Sequence, residues 1–249
     1  MGIAHHEQKL LEKFPPKGDV LTLGRQSYKG GFAEDLILSL GASSVESLDY
    51  SDFEGATHTG DLNEPIDLGK QFDTIIDFGT TEHVFNVAQA LKNCVRLCRI
   101  GGQILHAVPS NGDCGHGFWQ MSPELFFSLY SENNGFTETQ VFIADLMDEK
   151  HWWRASKPDA GDRLTANSMT TTYVLVHTVK QADRPLSVSQ SDYEHAWEVG
   201  EARRGGRFDW ARNMLKASPL RHVGSIAYRS LVARTGLTRF NPHLHKTKI

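Results

Sequence analysis

Cysteine is scarce in this 249-residue chain, which has three: Cys94, Cys98 and Cys114. An odd count at this spacing fits neither a disulfide framework nor a zinc pattern. Cys94 and Cys98, four apart in a helical pattern, read as small core residues of a protein from a reducing compartment. No apolar run is long enough to span a bilayer. The opening stretch MGIAHHEQKL lacks the apolar centre of a signal peptide, and His6 stands where myristoylation requires Ser or Thr. A cytosolic protein is expected, with no internal repeat and no low-complexity tract. One shortage is local. In DVLTLGRQSYKGG, residues 19–31, a strand-like run meets Gly24 as a nucleotide-binding loop would, but the next glycines are Gly30 and Gly31.

The hydrophobic content of 39% suffices for one sizeable core. The net charge of −4 is unevenly spread. Residues 201–249 carry 11 Lys or Arg against 2 acids, whereas residues 1–200 carry 15 against 28. An acidic body with a basic tail predicts that the tail meets something anionic.

The order of patterns predicts an α/β protein. IAHHEQKLLEKF is a short amphipathic helix stopped by Pro15 and Pro16. DVLTLG is a strand, GGFAEDLILSLG a helix, SSVESLDY a second strand, ATHTGD a short third and FDTIIDFG a buried fourth. Apolar residues at 84, 87, 88, 91, 94, 95 and 98 form a helical stripe that Gly101 and Gly102 end. QILHAVP is a fifth strand. SPELFFSLYSENNG is a helix with Ser122 as N-cap, Pro123 in its first turn and Gly135 as its stop. TETQVFIA and TTTYVLVHTV are two late strands, expected to pair antiparallel.

In such folds ligands bind beyond the carboxyl ends of the strands. The first strand ends at Gly24, the second at Asp49 and Tyr50, the third at Asp61 and Leu62, and the fourth at Asp77, Phe78 and Gly79. A carboxylate after the second strand is placed to accept from ribose hydroxyls. Asp61 is placed to accept from an adenine amino group while Leu62 packs on the ring, and Asp77 to pair with an ammonium. Each of these Asp residues also has an ordinary reading as a turn former or helix cap. No metal is expected.

The run FDTIIDFGTTEHVFNVAQALKNCVRLCRIGGQILHAVPSNG resembles the second half of a class I S-adenosylmethionine-dependent methyltransferase domain. EHV after the fourth strand and GG before the fifth are the recurrent marks. GHGFWQMSPELFFSLYSENNGF is similar to a subgroup of bacterial methyltransferases found among surface-carbohydrate and secondary-metabolite genes. The resemblance covers about residues 15–180. It implies a Rossmann-like, mostly parallel sheet with helices on both faces, and S-adenosyl-L-methionine as cofactor. It makes residues 1–180 the methyltransferase domain and 181–249 a basic helical extension. The family's first loop carries an acid on strand one and several glycines. Here Thr22 replaces the acid and Gly24 is the one matching glycine. Arg25 is then either a ligand of the cofactor's carboxylate or a solvated loop residue.

Methyl transfer to a hydroxyl or thiol needs alignment and removal of a proton. Of 12 histidines, His116 is the first choice as base, on a glycine-flanked loop after strand five. His83 is assigned a local role near the adenosine or at the following helix. Asn111, Trp119, Trp152, Trp153 and Arg154 are the candidate acceptor-binding residues, the last three on the stretch HWWRASKPDAGDR, read as a loop. Paired tryptophans are equally read as packing. In the tail, Leu220, Val223, Ala227 and Leu231 share one helical face opposite Arg221, His222 and Arg229. That face fits an anionic membrane surface, the protein's own body or a second copy. The resemblance, together with His116, implies O-methylation of a small-molecule or glycan-like acceptor, and no acceptor-specific motif accompanies it. The rivals are a non-catalytic scaffold and a nucleic-acid methyltransferase, the latter disfavoured by the lack of an Asn-Pro-Pro-aromatic run.

Overall fold

Near-continuous burial along the central strands places the sheet between two apolar layers. The computed structural model describes residues 2–159, 164, 166, 168, 170–191 and 244–249. Helix α1 spans His5–Lys13 and is followed by β1, Gly18–Leu23. A small hairpin of β2 (Ser27–Tyr28) and β3 (Gly31–Phe32) leads to helix α2, Glu34–Ser39. Next come β4 (Ala42–Asp49), β5 (His58–Thr59), β6 (Phe72–Phe78), a 3₁₀ turn at Thr81–His83 and helix α3, Val87–Leu97. The second half holds β7 (Cys98–Asn111), α4 (Pro123–Leu129), β8 (Phe136–Asp145), β9 (His151–Ala155), β10 (Thr172–Lys180) and β11 (Leu244–Lys248).

Nine strands form one sheet in the order β11-β9-β8-β10-β7-β6-β1-β4-β5. The pairs β5–β4, β4–β1, β1–β6 and β6–β7 are parallel. β10 lies antiparallel between β7 and β8. The chain winds one way from β1 to β5 and the other way from β6 onward. That reversal puts a crevice at the carboxyl ends of β1 and β6. The fold is thus the expected Rossmann-like α/β sheet, with the antiparallel late pair.

Neighbouring residues on each central strand serve opposite layers. Leu21, Ile75 and Ile104 join Leu91, Cys94, Leu97 and Phe126 under α3 and α4. Val20, Ile76 and Leu105 join Leu10, Leu11 and Ile37 under α1 and α2. Leu10 and Leu11 are fully buried, and each contributes about 1.5–3 kcal/mol of transfer free energy. Cys94 and Cys98 are core residues as expected, and burial pushes the Cys98 thiol up to about 12. Among the described residues, no helix is long and apolar enough to cross a membrane.

Several boundaries move. α2 is a short helix, and α3 starts three residues after Val84 because Thr81–His83 take a 3₁₀ turn first. The stretch from His151 is no loop in its first part but a strand, paired with β8 and β11. The sheet therefore draws its outer strand from residues 244–248, within the stretch expected to be a separate extension. The tail helix expected from Leu220 lies outside the described residues.

Lys180 ends α3. Its fully buried ammonium donates to the carbonyls of Val95 at 2.8 Å and Cys98 at 2.7 Å, and pairs with Asp183 at 2.7 Å. A cation at a helix carboxyl end also answers the helix dipole. Lys180→Met keeps the bulk but leaves those carbonyls without a donor. It is expected to lower unfolding free energy by about 1–3 kcal/mol in urea titration.

Candidate functional site

The carboxyl ends of β1, β4, β5 and β6 meet around Gly24. Its amide donates to Leu48 O at 2.8 Å, and its φ is +71°. A side chain there would put Cβ 2.9 Å from Thr80 Oγ1, so this position needs glycine for both space and backbone. Thr80 Oγ1 and Gln26 Nε2 donate to Leu23 O at 2.7 and 3.1 Å. Gln26 is buried, and its Oε1 has no hydrogen-bond partner among the described residues.

Asp49 closes β4 beside this point. Its carboxylate accepts from the amides of Tyr50 at 2.7 Å and Arg25 at 3.3 Å. Two main-chain donors orient it and leave acceptor sites for a ligand. Asp61 stands alongside, because Gly60 N donates to Asp49 O at 2.8 Å. Its own Oδ1 accepts from Asn63 in a turn, and Leu62 is buried next to it. Tyr50 is 77% exposed.

Arg25 is engaged on every side. Nε donates to Glu34 Oε1 at 2.8 Å, and Nη1 to the carbonyls of Glu54 at 2.6 Å and Gly55 at 3.0 Å. The guanidinium lies 3.7 Å from the Phe32 ring centroid. These contacts pin the loop to α2 and to the β4–β5 connection.

Asp77 corrects the sequence-based expectation. It is fully buried and does not face a ligand site. Oδ1 accepts from the amides of Thr80 and Thr81 at 3.3 and 3.1 Å. Oδ2 accepts from Thr81 Oγ1 at 2.6 Å and pairs with His106 Nδ1 at 2.7 Å. His106 Nε2 in turn meets the Tyr130 hydroxyl at 2.5 Å, and burial holds that phenol well above its usual range. Phe78 is likewise buried, in the layer under α1, so its side chain packs in the core. Gly79 lines the cavity described next.

The turn after Asp77 carries Glu82 and His83, and the loop after β7 brings His116 to them. His116 Nε2 lies 3.2 Å from Glu82 Oε1, and His83 Nε2 lies 3.8 Å from the same atom. The two imidazoles stand edge to face, 4.9 Å apart. Glu82 is fully buried, and burial, with Asp77 adding to it, pushes its carboxyl up to about 8. His83 is held below its ordinary value by burial and by His116. A cavity of ≈ 430 Å³ opens here, lined by His116, Phe78, Gly79, Ala107 and Tyr173 and by the start of α1. Gly79 lines it, and the next residue, Thr80, lies against Gly24.

The other expected acceptor residues scatter. Trp119 is 39% exposed and donates to Val84 O at 3.0 Å, which fixes the loop carrying His116. Asn111 lines a separate cavity of ≈ 240 Å³ and donates to Ser168 O. Trp152 is fully buried against Phe142 and His6, which excludes it from an acceptor pocket. Trp153, on the opposite strand face, is half-buried with Lys246 over its ring. Arg154 lines a groove of ≈ 860 Å³ by the amino end of β8, the edge of the sheet away from His116. Strand alternation puts Trp153 on the face opposite Trp152, and Arg154 lines a groove that neither tryptophan lines. Glu82, His106 and Tyr130 were not singled out in the sequence, although a histidine inside the apolar run QILHAVP is a signal for a buried partner.

No family model and no curated protein matches the chain. Solved structures similar to it include the N-methyltransferase NodS from Bradyrhizobium japonicum in complex with S-adenosyl-L-homocysteine, at 12% identity over 72% of this chain and 86% of that one, TM-score 0.45. Another is the 1,6-didemethyltoxoflavin-N1-methyltransferase of Burkholderia thailandensis with its substrate and S-adenosylhomocysteine, at 15% identity over 70% and 76%, TM-score 0.44. The YcgJ protein from Bacillus subtilis is similar at 13% identity over 72% and 100%, TM-score 0.45. At these scores the likenesses decide nothing, and the fold stands on the chain's own strand order.

Asp77→Ala is expected to cost about 3–5 kcal/mol of unfolding free energy, because it strands His106 and Thr81 in the interior. A solvent-facing ligand residue would cost under about 0.5 kcal/mol in the same urea titration.

Proposed function

We propose that the chain is an S-adenosyl-L-methionine-dependent methyltransferase acting on a hydroxyl of a small-molecule or glycan-like acceptor. The observation that carries this is the strand-end crevice: Asp49, oriented by two amides and with acceptor sites to spare, stands beside Gly24 where the carboxyl ends of β1 and β4 meet. The resemblance of the EHV and GG runs to the methyltransferase family points the same way.

The residues present fit the cofactor in three respects. Asp49 keeps lone pairs for a ribose diol. Asp61 and Leu62 offer a carboxylate and an apolar surface where an adenine would lie. Gln26 Oε1, buried and without a hydrogen-bond partner among the described residues, offers an acceptor to a ligand ammonium once its side chain turns toward the crevice, in place of Asp77. Arg25 supports the loop rather than the ligand. When bound, the cofactor supplies an already activated methyl group. This chain's own work is then to align the acceptor and manage its hydroxyl proton. His116, which lines the cavity next to the crevice and is backed by the buried Glu82, is the group placed to meet that hydroxyl.

Calorimetry with S-adenosylmethionine and S-adenosylhomocysteine tests the cofactor. Both are expected to bind, and Asp49→Ala to weaken them by about 1.5–3 kcal/mol. Binding of neither would end the proposal. On a panel of hydroxyl acceptors, His116→Ala is expected to lower turnover about 10²- to 10⁴-fold with S-adenosylhomocysteine affinity unchanged. Full turnover would take His116 out of the site.

A further inference from the structure

Glu82, His83 and His116 bring one carboxylate and two imidazoles together, with a ligand atom from each within 4.8 Å of the others. Atoms held about 2.0–2.2 Å from one first-row ion stand roughly 3.3–3.5 Å apart in a tetrahedral arrangement. The pairs at 3.2 and 3.8 Å from Glu82 Oε1 already bracket that spacing. The two imidazoles need to close by about an ångström to meet the same ion. With side chains 44% and 30% exposed, His83 and His116 have room to turn.

We propose that these three residues form a binding site for a first-row divalent transition-metal ion. Imidazole donors favour such ions over magnesium or calcium, and two histidines with one carboxylate leave coordination positions open. The supports are built in on two chain segments. Glu82 O accepts from the amides of Phe118 at 2.8 Å and Trp119 at 3.2 Å, and Trp119 Nε1 donates to Val84 O at 3.0 Å. Gly117, at φ +67°, lets the loop pass close: a Cβ there would lie 2.9 Å from Glu82 Cγ and Glu82 O. The turn and the loop therefore hold their ligands in register before any ion arrives.

Glu82 gives the second, independent indication. Its side chain is fully buried, yet Oε2 has no hydrogen-bond partner among the described residues. A buried carboxylate oxygen without a donor is costly unless a cation or a donor answers it. Asp113 Oδ2 lies 4.0 Å from His116 Nδ1, on the side where a supporting carboxylate orients a ligating histidine. His116 also lines the cavity next to the crevice, so the site is reachable by a solute. With an ion bound, His116 would act on the acceptor hydroxyl through that ion; without one it meets the hydroxyl directly. That last statement rests on the methyltransferase proposal; the metal site itself does not.

The test is cobalt(II) binding to the tag-free, chelator-stripped full chain, followed by equilibrium dialysis and visible absorption. One cobalt per chain with ligand-field bands is expected. His83→Ala and His116→Ala should each weaken binding at least about tenfold and change the bands, with far-ultraviolet circular dichroism unchanged. Glu82→Gln should do the same, and if it fails to fold, the two exposed histidines carry the test. Absence of stoichiometric binding would overturn the proposal, as would binding that survives both histidine changes. In that case Glu82–His116 is a hydrogen-bonded pair only. Cofactor calorimetry is read separately, so failure of one leaves the other standing.

Discussion

A buried carboxylate governs this molecule. Asp77 has no water to lean on, so its oxygens gather donors from three places: the amides and hydroxyl of the turn after β6, the imidazole of His106 on β7 and, through that ring, Tyr130 just beyond α4. Losing any partner would leave an uncompensated group in the interior. The network therefore fixes the position of β6 against β7 and sets the pitch of the turn that follows. That turn delivers Thr80 to Gly24 on one side and Glu82 with His83 to His116 on the other. A group expected to bind the ligand is instead internal, and it positions Thr80, Glu82 and His83.

The glycine-poor first loop follows from the same economy of contacts. A loop with several glycines lets backbone amides approach a ligand freely, but it must then be held by the ligand or by neighbours. Here the one glycine packs against Thr80, and Arg25 holds the rest through Glu34, the Phe32 ring and two carbonyls of the β4–β5 connection. Rigidity is supplied by a side chain. Beside the loop stand the carboxylate of Asp49, oriented by two amides, and the unpartnered Oε1 of Gln26. The loop after β7 repeats the device: Trp119 and the Gly117 approach clamp it to Glu82, so His116 is placed by backbone contacts.

Much of the fold was legible because period and punctuation agreed. The apolar run at 72–78 and the Ser122–Pro123 helix start fall where the pattern puts them, whereas α4 stops at Leu129 and Gly135, at φ +85°, closes a separate 3₁₀ turn at Glu132–Asn134. The site was legible only as far as chain position determines exposure. Asp49 and Asp77 both end strands, and sequence does not say which one the next turn folds over. Its amides cap Asp77 and bury it, whereas Asp49 is left at the crevice. The tryptophans failed for a related reason. Read as a loop, Trp152, Trp153 and Arg154 could share a pocket; as a strand, alternation sends Trp152 inward and Trp153 outward. Partners distant in sequence, such as Glu82 with His116, carry no local signal at all.

The central claim is that ligand recognition lies at Asp49 and Gln26 beside Gly24, while Asp77 is internal. A crystal structure of the chain soaked with S-adenosylhomocysteine tests it most directly. The account predicts the ribose diol on the Asp49 carboxylate, the amino group within reach of Gln26 Oε1, and Asp77 still joined to His106 with no ligand contact. Density for the ammonium on Asp77, with the Asp77–His106 pair broken, would contradict it.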